Sequence, residues 1–188
     1  VAWREPQEIL PIGSVIEEAL VMGYGGLESY GFHMLETLQC MVERREGGET
    51  GIRSVQALQG ERAWQAQQQG RWSGELFKAA AEANGQVVTE EKLRASMMNQ
   101  NAAVYLLETR DSVKMSAVMA VNLGAQFCLA LKLKERDEPF VSWFQLEDKK
   151  PYGHFAYLVK AIEEMIHTGH PSYPVERTLL TTGILDRA

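Results

Sequence analysis

Asn101–Leu146 reads NAAVYLLETRDSVKMSAVMAVNLGAQFCLALKLKERDEPFVSWFQL, and the fold class is decided here. Four runs rich in apolar, β-branched and aromatic residues, Ala102–Glu108, Val113–Val121, Gln126–Lys134 and Phe140–Leu146, are set apart by turn-forming groups. Those groups are Arg110-Asp111, Asn122-Leu123-Gly124 and Arg136-Asp137-Glu138-Pro139. Runs of this length and composition between such breaks predict strands, and the short connections predict an antiparallel meander. Strand residues point alternately to opposite faces. One face therefore takes Val113, Met115, Met119, Phe127, Leu129, Leu131, Phe140 and Phe144, and the other Val118, Ala120, Cys128, Ala130, Val141 and Trp143.

Working outward, the period changes to helical on both sides. Leu27–Arg45 repeats Leu27, Tyr30, Met34, Leu38 and Met41 at three or four residues and stops at Gly47-Gly48, which predicts a helix. Arg53–Gln59 alternates as a strand, and Arg62–Ala66 reads as a short partner strand before a glutamine-rich loop at Gln65–Gln69. Ser73 caps a helix that runs to Ala83 and stops at Gly85. On the far side, Tyr152–Thr168 carries Phe155, Leu158, Val159, Ile162, Met165 and Ile166 on one stripe and stops at Gly169, and Pro174 opens a last helix towards Asp186. Residues 1–26, with their prolines and the Gly23-Tyr24-Gly25-Gly26 group, read as an irregular arm with one helical turn at Val15–Leu20.

The sum is an α+β fold over residues 27–188, with a mostly antiparallel open sheet and helices packed on one face. The other face, lined by small residues and Trp143, is expected to meet another subunit through Cys128, Ala130 and Trp143. A homo-oligomer is thus expected.

Composition narrows the partners. A net charge of −6 with 45% hydrophobic and 23% charged residues describes a globular chain and argues against nucleic acid, which demands a basic face. No apolar run is long enough to span a membrane, and Val1–Glu8 has no secretory pattern. A cytoplasmic protein with Cys40 and Cys128 as free buried thiols is expected.

Three segments carry a family resemblance. Gly25-Gly26-Leu27-Glu28-Ser29-Tyr30-Gly31-Phe32-His33-Met34-Leu35-Glu36 is similar to the opening of the substrate domain in the Gfo/Idh/MocA oxidoreductases. Gly48-Glu49-Thr50-Gly51 leading into the following strand is the second. His154–Ala161, His167-Thr168-Gly169-His170-Pro171 and Tyr173-Pro174-Val175-Glu176-Arg177 resemble the family's last helices. The order and spacing carry the resemblance, which implies the family's C-terminal sheet domain. It also implies that His33 and His154 line one substrate cleft, taking a small-molecule substrate.

The departures bear on activity. The phosphate-binding turn that dinucleotide domains place between a strand and a helix has no match here, so no NAD(P) is expected on this chain alone. The family's Glu-Lys-Pro segment is missing, and Ser29 stands where the resemblance places an Asp four residues before His33. Hydride transfer is therefore not expected.

Some chemistry remains. His33, Glu36 and Cys40 fall at i, i+3 and i+7 on one helix face, and His154 joins them if the implied cleft exists. His33, Glu36 and His154 could then hold a divalent zinc, manganese or cobalt ion that activates water against an activated ester or phosphoester. That is one reading, a metal-dependent hydrolase of the esterase or phosphotriesterase type. Against it stands the plain alternative that His33 bonds a carbonyl and Cys40 packs as a small apolar group. The other reading is a non-catalytic substrate-side and oligomerisation domain of a NAD(P)-dependent sugar dehydrogenase.

Overall fold

The computed structural model describes residues 3–124, 126–147 and 149–188. Among these described residues seven strands form one sheet, β1 (Trp3–Glu5), β2 (Ile16–Gly23), β3 (Ile52–Leu58), β4 (Ala103–Thr109), β5 (Lys114–Met119), β6 (Phe127–Leu133) and β7 (Phe140–Gln145). The helices among the described residues are α1 (Leu27–Val42), α2 (Gly60–Gln68), α3 (Gly74–Glu82), α4 (Glu90–Met97), α5 (His154–Thr168) and α6 (Glu176–Asp186). The strand order is β1-β7-β6-β2-β5-β4-β3, and every neighbouring pair is antiparallel except β2 with β5. The α+β class and the mostly antiparallel open sheet are as the pattern predicts.

The expected meander is interrupted. β4–β5 and β6–β7 are hairpins, but β2 lies between β5 and β6, drawn from the segment expected to be an irregular arm with a helical turn. Ala19, Leu20, Val21 and Met22 are fully buried, because a central strand is covered on both faces. Such a strand shows a continuous apolar run without alternation, which periodicity alone does not separate from a helical turn.

Two further differences lie between β3 and β4. Arg62–Ala66 and most of Gln65–Gln69 are helical, in α2, where Ala63, Trp64 and Ala66 are buried and the polar residues are good helix formers. Helix α4 adds an element to the expected order; Thr89 caps it, accepting a hydrogen bond from Lys92 N at 3.2 Å, with Glu90 and Glu91 favourable to the dipole in its first turn. The Ser73 cap of α3 forms as expected, accepting from Leu76 N at 3.0 Å.

Both sheet faces assort as the alternation predicts. Met115, Met119, Phe127, Leu129, Leu131, Phe140 and Phe144 pack with α1 and α6. Val118, Ala120, Cys128 and Ala130 pack with α2, α3 and α4, with Val141 and Trp143 partly buried beside them. Helices therefore cover both faces rather than one. The small residues serve a helix, not a second sheet. Phe77, Ala80 and Ala81 of α3 are fully buried against β2 and β6, and a lining of Cys128 and Ala130 lets the helix approach closely. Cys128 and Ala130 have no surface left for another subunit, since both are 0% exposed within the chain.

A buried guanidinium ties the end of α1 to the β4–β5 turn. Arg45, 2% exposed, donates from Nε and Nη2 to the two carboxylate oxygens of Asp111 at 2.8 and 3.0 Å, and from Nη1 to Glu49 Oε2 at 3.2 Å. Val42 O and Thr50 Oγ1 accept the remaining donor contacts, at 3.1 and 3.0 Å. Hydrogen bonding to Arg45 holds the Asp111 carboxyl well below the usual carboxylate range. A depressed carboxyl contributes stability above its unfolded pKa and loses it as pH falls through the folded value. We expect Asp111→Ala to cost about 2 kcal/mol in urea unfolding at pH 7, because it strands a buried cation with only Glu49 beside it. The gap between variant and parent should begin to narrow below about pH 4 and shrink further as pH falls towards the depressed folded pKa of Asp111; a gap that stays constant down to acid unfolding contradicts this.

Candidate functional site

The first turns of α1 present the residues of the strongest resemblance. Gly25 has φ +81°, and a Cβ there would lie 2.7 Å from the Tyr30 ring; one on Gly23 would lie 2.6 Å from Met34 Sδ. These glycines let the chain leave β2 and turn tightly into α1, which explains the Gly-rich group without a phosphate. Tyr24 stacks at 4.9 Å on both Tyr30 and Phe127, and His33 stands 6.3 Å from Tyr30, 6.5 Å from Phe127 and edge-on to Phe32 at 5.9 Å. His33 is exposed, as are Glu28 and Ser29. An imidazole on an aromatic wall results, open to solvent.

Glu36 and Cys40, one and two turns further on, face α6 instead. Thr181 Oγ1, fully buried, donates to Glu36 Oε1 at 2.8 Å. Arg177 donates from Nε to Glu43 Oε2 at 2.9 Å and from Nη2 to the other oxygen, and its guanidinium lies 4.2 Å over the Tyr173 ring. Burial pushes the Cys40 thiol up to about 11, against a lowering by Arg177. Cys128 is pushed up to about 12 by burial alone. Neither is in a disulfide. Both are protonated, unreactive thiols at neutral pH.

His154 opens α5. Its Nδ1 lies 2.8 Å from Glu147 O, and its ring stacks on Phe155 at 4.3 Å. A carbonyl can only accept, so Nδ1 is the donor in this bond. Among the described residues no three His, Cys, Asp or Glu side chains are grouped so as to hold a metal ion. The set His33, Glu36 and His154 is therefore not gathered into one ligand shell. Glu36 is drawn to Thr181 by the packing of α6 on α1, and His154 is held to its own loop by Glu147. His167 and His170 sit at the end of α5 around the left-handed Gly169, where a histidine suits the helix dipole.

The expected interface trio divides in the same way. Cys128 and Ala130 lie under α3, while the partly buried Trp143 donates from Nε1 to Gln126 Oε1 at 3.0 Å.

Two surfaces were not foreseen. One is a cleft of about 1060 Å³ between the end of α1, the start of β3 and α6. The other is α5 itself. Not one of its fifteen residues is buried, and Phe155, Leu158, Val159, Ile162, Met165 and Ile166 face solvent, Ile166 at 71% exposure. The stripe was legible as amphipathic. Nothing in the sequence indicated that its apolar side would stay uncovered.

Comparison of the chain with protein-family models, curated proteins and solved structures found no match.

Replacing Thr181 by Val keeps shape and removes the hydroxyl that Glu36 accepts from. We expect a loss of about 1–2 kcal/mol, the worth of a hydrogen bond to a charged group, with His33 and the aromatic wall undisturbed in NMR spectra. No change in the urea midpoint would show that Glu36 does not fasten α6.

Proposed function

We propose that this chain is a substrate-side domain that works against a separate domain and does not transfer hydride by itself. The observation that carries this reading is the uncovered apolar face of α5. A fifteen-residue helix with its stripe in water gains little from its own fold, and contiguous apolar patches of that kind mark interaction surfaces. The resemblance to the Gfo/Idh/MocA substrate domain supplies the identity of the missing surface, a nucleotide-binding domain that α5 would pack against. The exposed His33 beside Tyr30 and Phe127 is then the part of the domain offered to a small-molecule substrate. The metal-dependent hydrolase reading draws no support from the placement of Glu36 and His154. No helix among the described residues is long and apolar enough to cross a membrane.

The chain alone should show no micromolar binding of NAD(H) or NADP(H) in calorimetry and no sugar oxidation. The hydrophobic dye ANS should bind it in the folded state, and Leu158→Asp with Ile166→Asp should remove that signal. Because both positions are exposed, the double variant should leave the urea midpoint within about 0.5 kcal/mol of the parent. A loss above about 2 kcal/mol would mean that the stripe is covered within the chain. Chelator-sensitive hydrolysis of an activated ester would favour the metal enzyme instead.

A further inference from the structure

β3 ends the sheet. It pairs with β4 on one side only, and its outer edge is free among the described residues. The cleft beside it touches Ile52, Arg53, Ser54 and Val55 in succession. Successive strand residues point to opposite faces, so a cleft that meets all four runs along the strand's edge, beside unpaired backbone groups. Its pairing with β4 shifts register between Ile52 and Ser54 and is regular from Ser54 to Leu58, and a regular edge of this kind, with no proline in it, is a template for another strand.

The opposite wall is α6. Glu176, Leu180, Gly183 and Arg187, at i, i+4, i+7 and i+11, all line the cleft, as a single helix face requires. Leu179 lines it as well and is 72% exposed. Gly183 lies inside the helix, where glycine weakens it, yet a Cβ there would meet nothing within 4 Å. The chain's own packing gives no reason for a glycine at that position. Glu176 and Arg187 are exposed at opposite ends of the helix, and neither has an ion-pair partner among the described residues.

We propose that the occupant of this cleft is a second copy of the chain, joined by antiparallel pairing of β3 with β3 about a twofold axis normal to the sheet. Such an axis keeps the same face of both sheets upward, so the two α6 helices lie on one side of the joined sheet and run antiparallel. Glu176 then stands opposite Arg187 of the other copy, twice over. Leu180 of each helix faces the opening left by Gly183 of the other. A twofold interface must be self-complementary. A free strand edge is so by nature, and free charges of opposite sign at opposite ends of one helix make α6 so as well. This surface is separate from α5, and the proposal does not rest on the docking role given to that helix.

The test is sedimentation equilibrium of the full chain at about 1–100 μM. A dimer is expected. Glu176→Arg and Arg187→Glu should each weaken it roughly tenfold or more by setting like charges together, and the combined reversal should restore it. Leu179→Asp should give a folded monomer. All three positions are exposed, so circular dichroism should stay at the parent value in each variant. A parent chain that is monomeric at 100 μM overturns the proposal, and so does a dimer that ignores both single reversals or is not restored by the combined one. A dimer broken by Ile166→Asp and not by these variants places the contact on α5 and likewise overturns it.

Discussion

The burial of β2 between β5 and β6 is the constraint on which the molecule depends. Leu20, Val21 and Met22 contribute to both cores at once, Val21 to the α1 side and Leu20 and Met22 to the α3 side. The strand also aims the chain at Gly23, from which α1 crosses the sheet. Without β2 the hairpins β4–β5 and β6–β7 would have no shared neighbour, and the Tyr24–Phe127 stack beside His33 would lose its anchor.

Much of this was readable from spacing. The last four strands, the three helices that end in a glycine stop and the division of Met115 or Phe127 from Val118 or Cys128 all follow from period and punctuation, which are local properties. What escaped were outcomes of tertiary context. Ala19–Met22 is a strand because neighbours lie on both sides of it, and the run itself does not reveal those neighbours. Gly60–Gln68 is helical because Ala63, Trp64 and Ala66 find a face to bury, although Arg62–Ala66 reads as a short strand and Gln65–Gln69 as a loop. The small residues Cys128 and Ala130 were correctly placed on one face, but their smallness admits α3 and not another sheet.

The candidate site was legible residue by residue and not as an ensemble. His33 is exposed on its aromatic wall, as a helix-face reading allows. Glu36, one turn on, is turned into structural use by Thr181, which lies 145 residues later in the chain. His154 is set by a carbonyl seven residues before it. Side-chain type at helical spacing says what could converge. Which partner takes each group is decided by the helix that packs alongside, and α6 is the element whose position the sequence did not state.

The parallel pairing of β2 with β5 also governs how the chain assembles. β2 is made early, yet both its partners, Lys114–Met119 and Phe127–Leu133, are made late. On a ribosome it emerges as an apolar strand with nothing to pair with until most of the chain has followed. Distant strand pairing of this kind slows folding, because the long loop must close before contacts repay it. α1 and the α2–α4 segment can form locally in the meantime, and the Glu17-Glu18 pair at the start of β2 keeps charge on the waiting strand. The sheet centre thus stays unpaired until Phe127–Leu133 has been made, and in a destabilised variant this waiting strand is exposed to aggregation during synthesis.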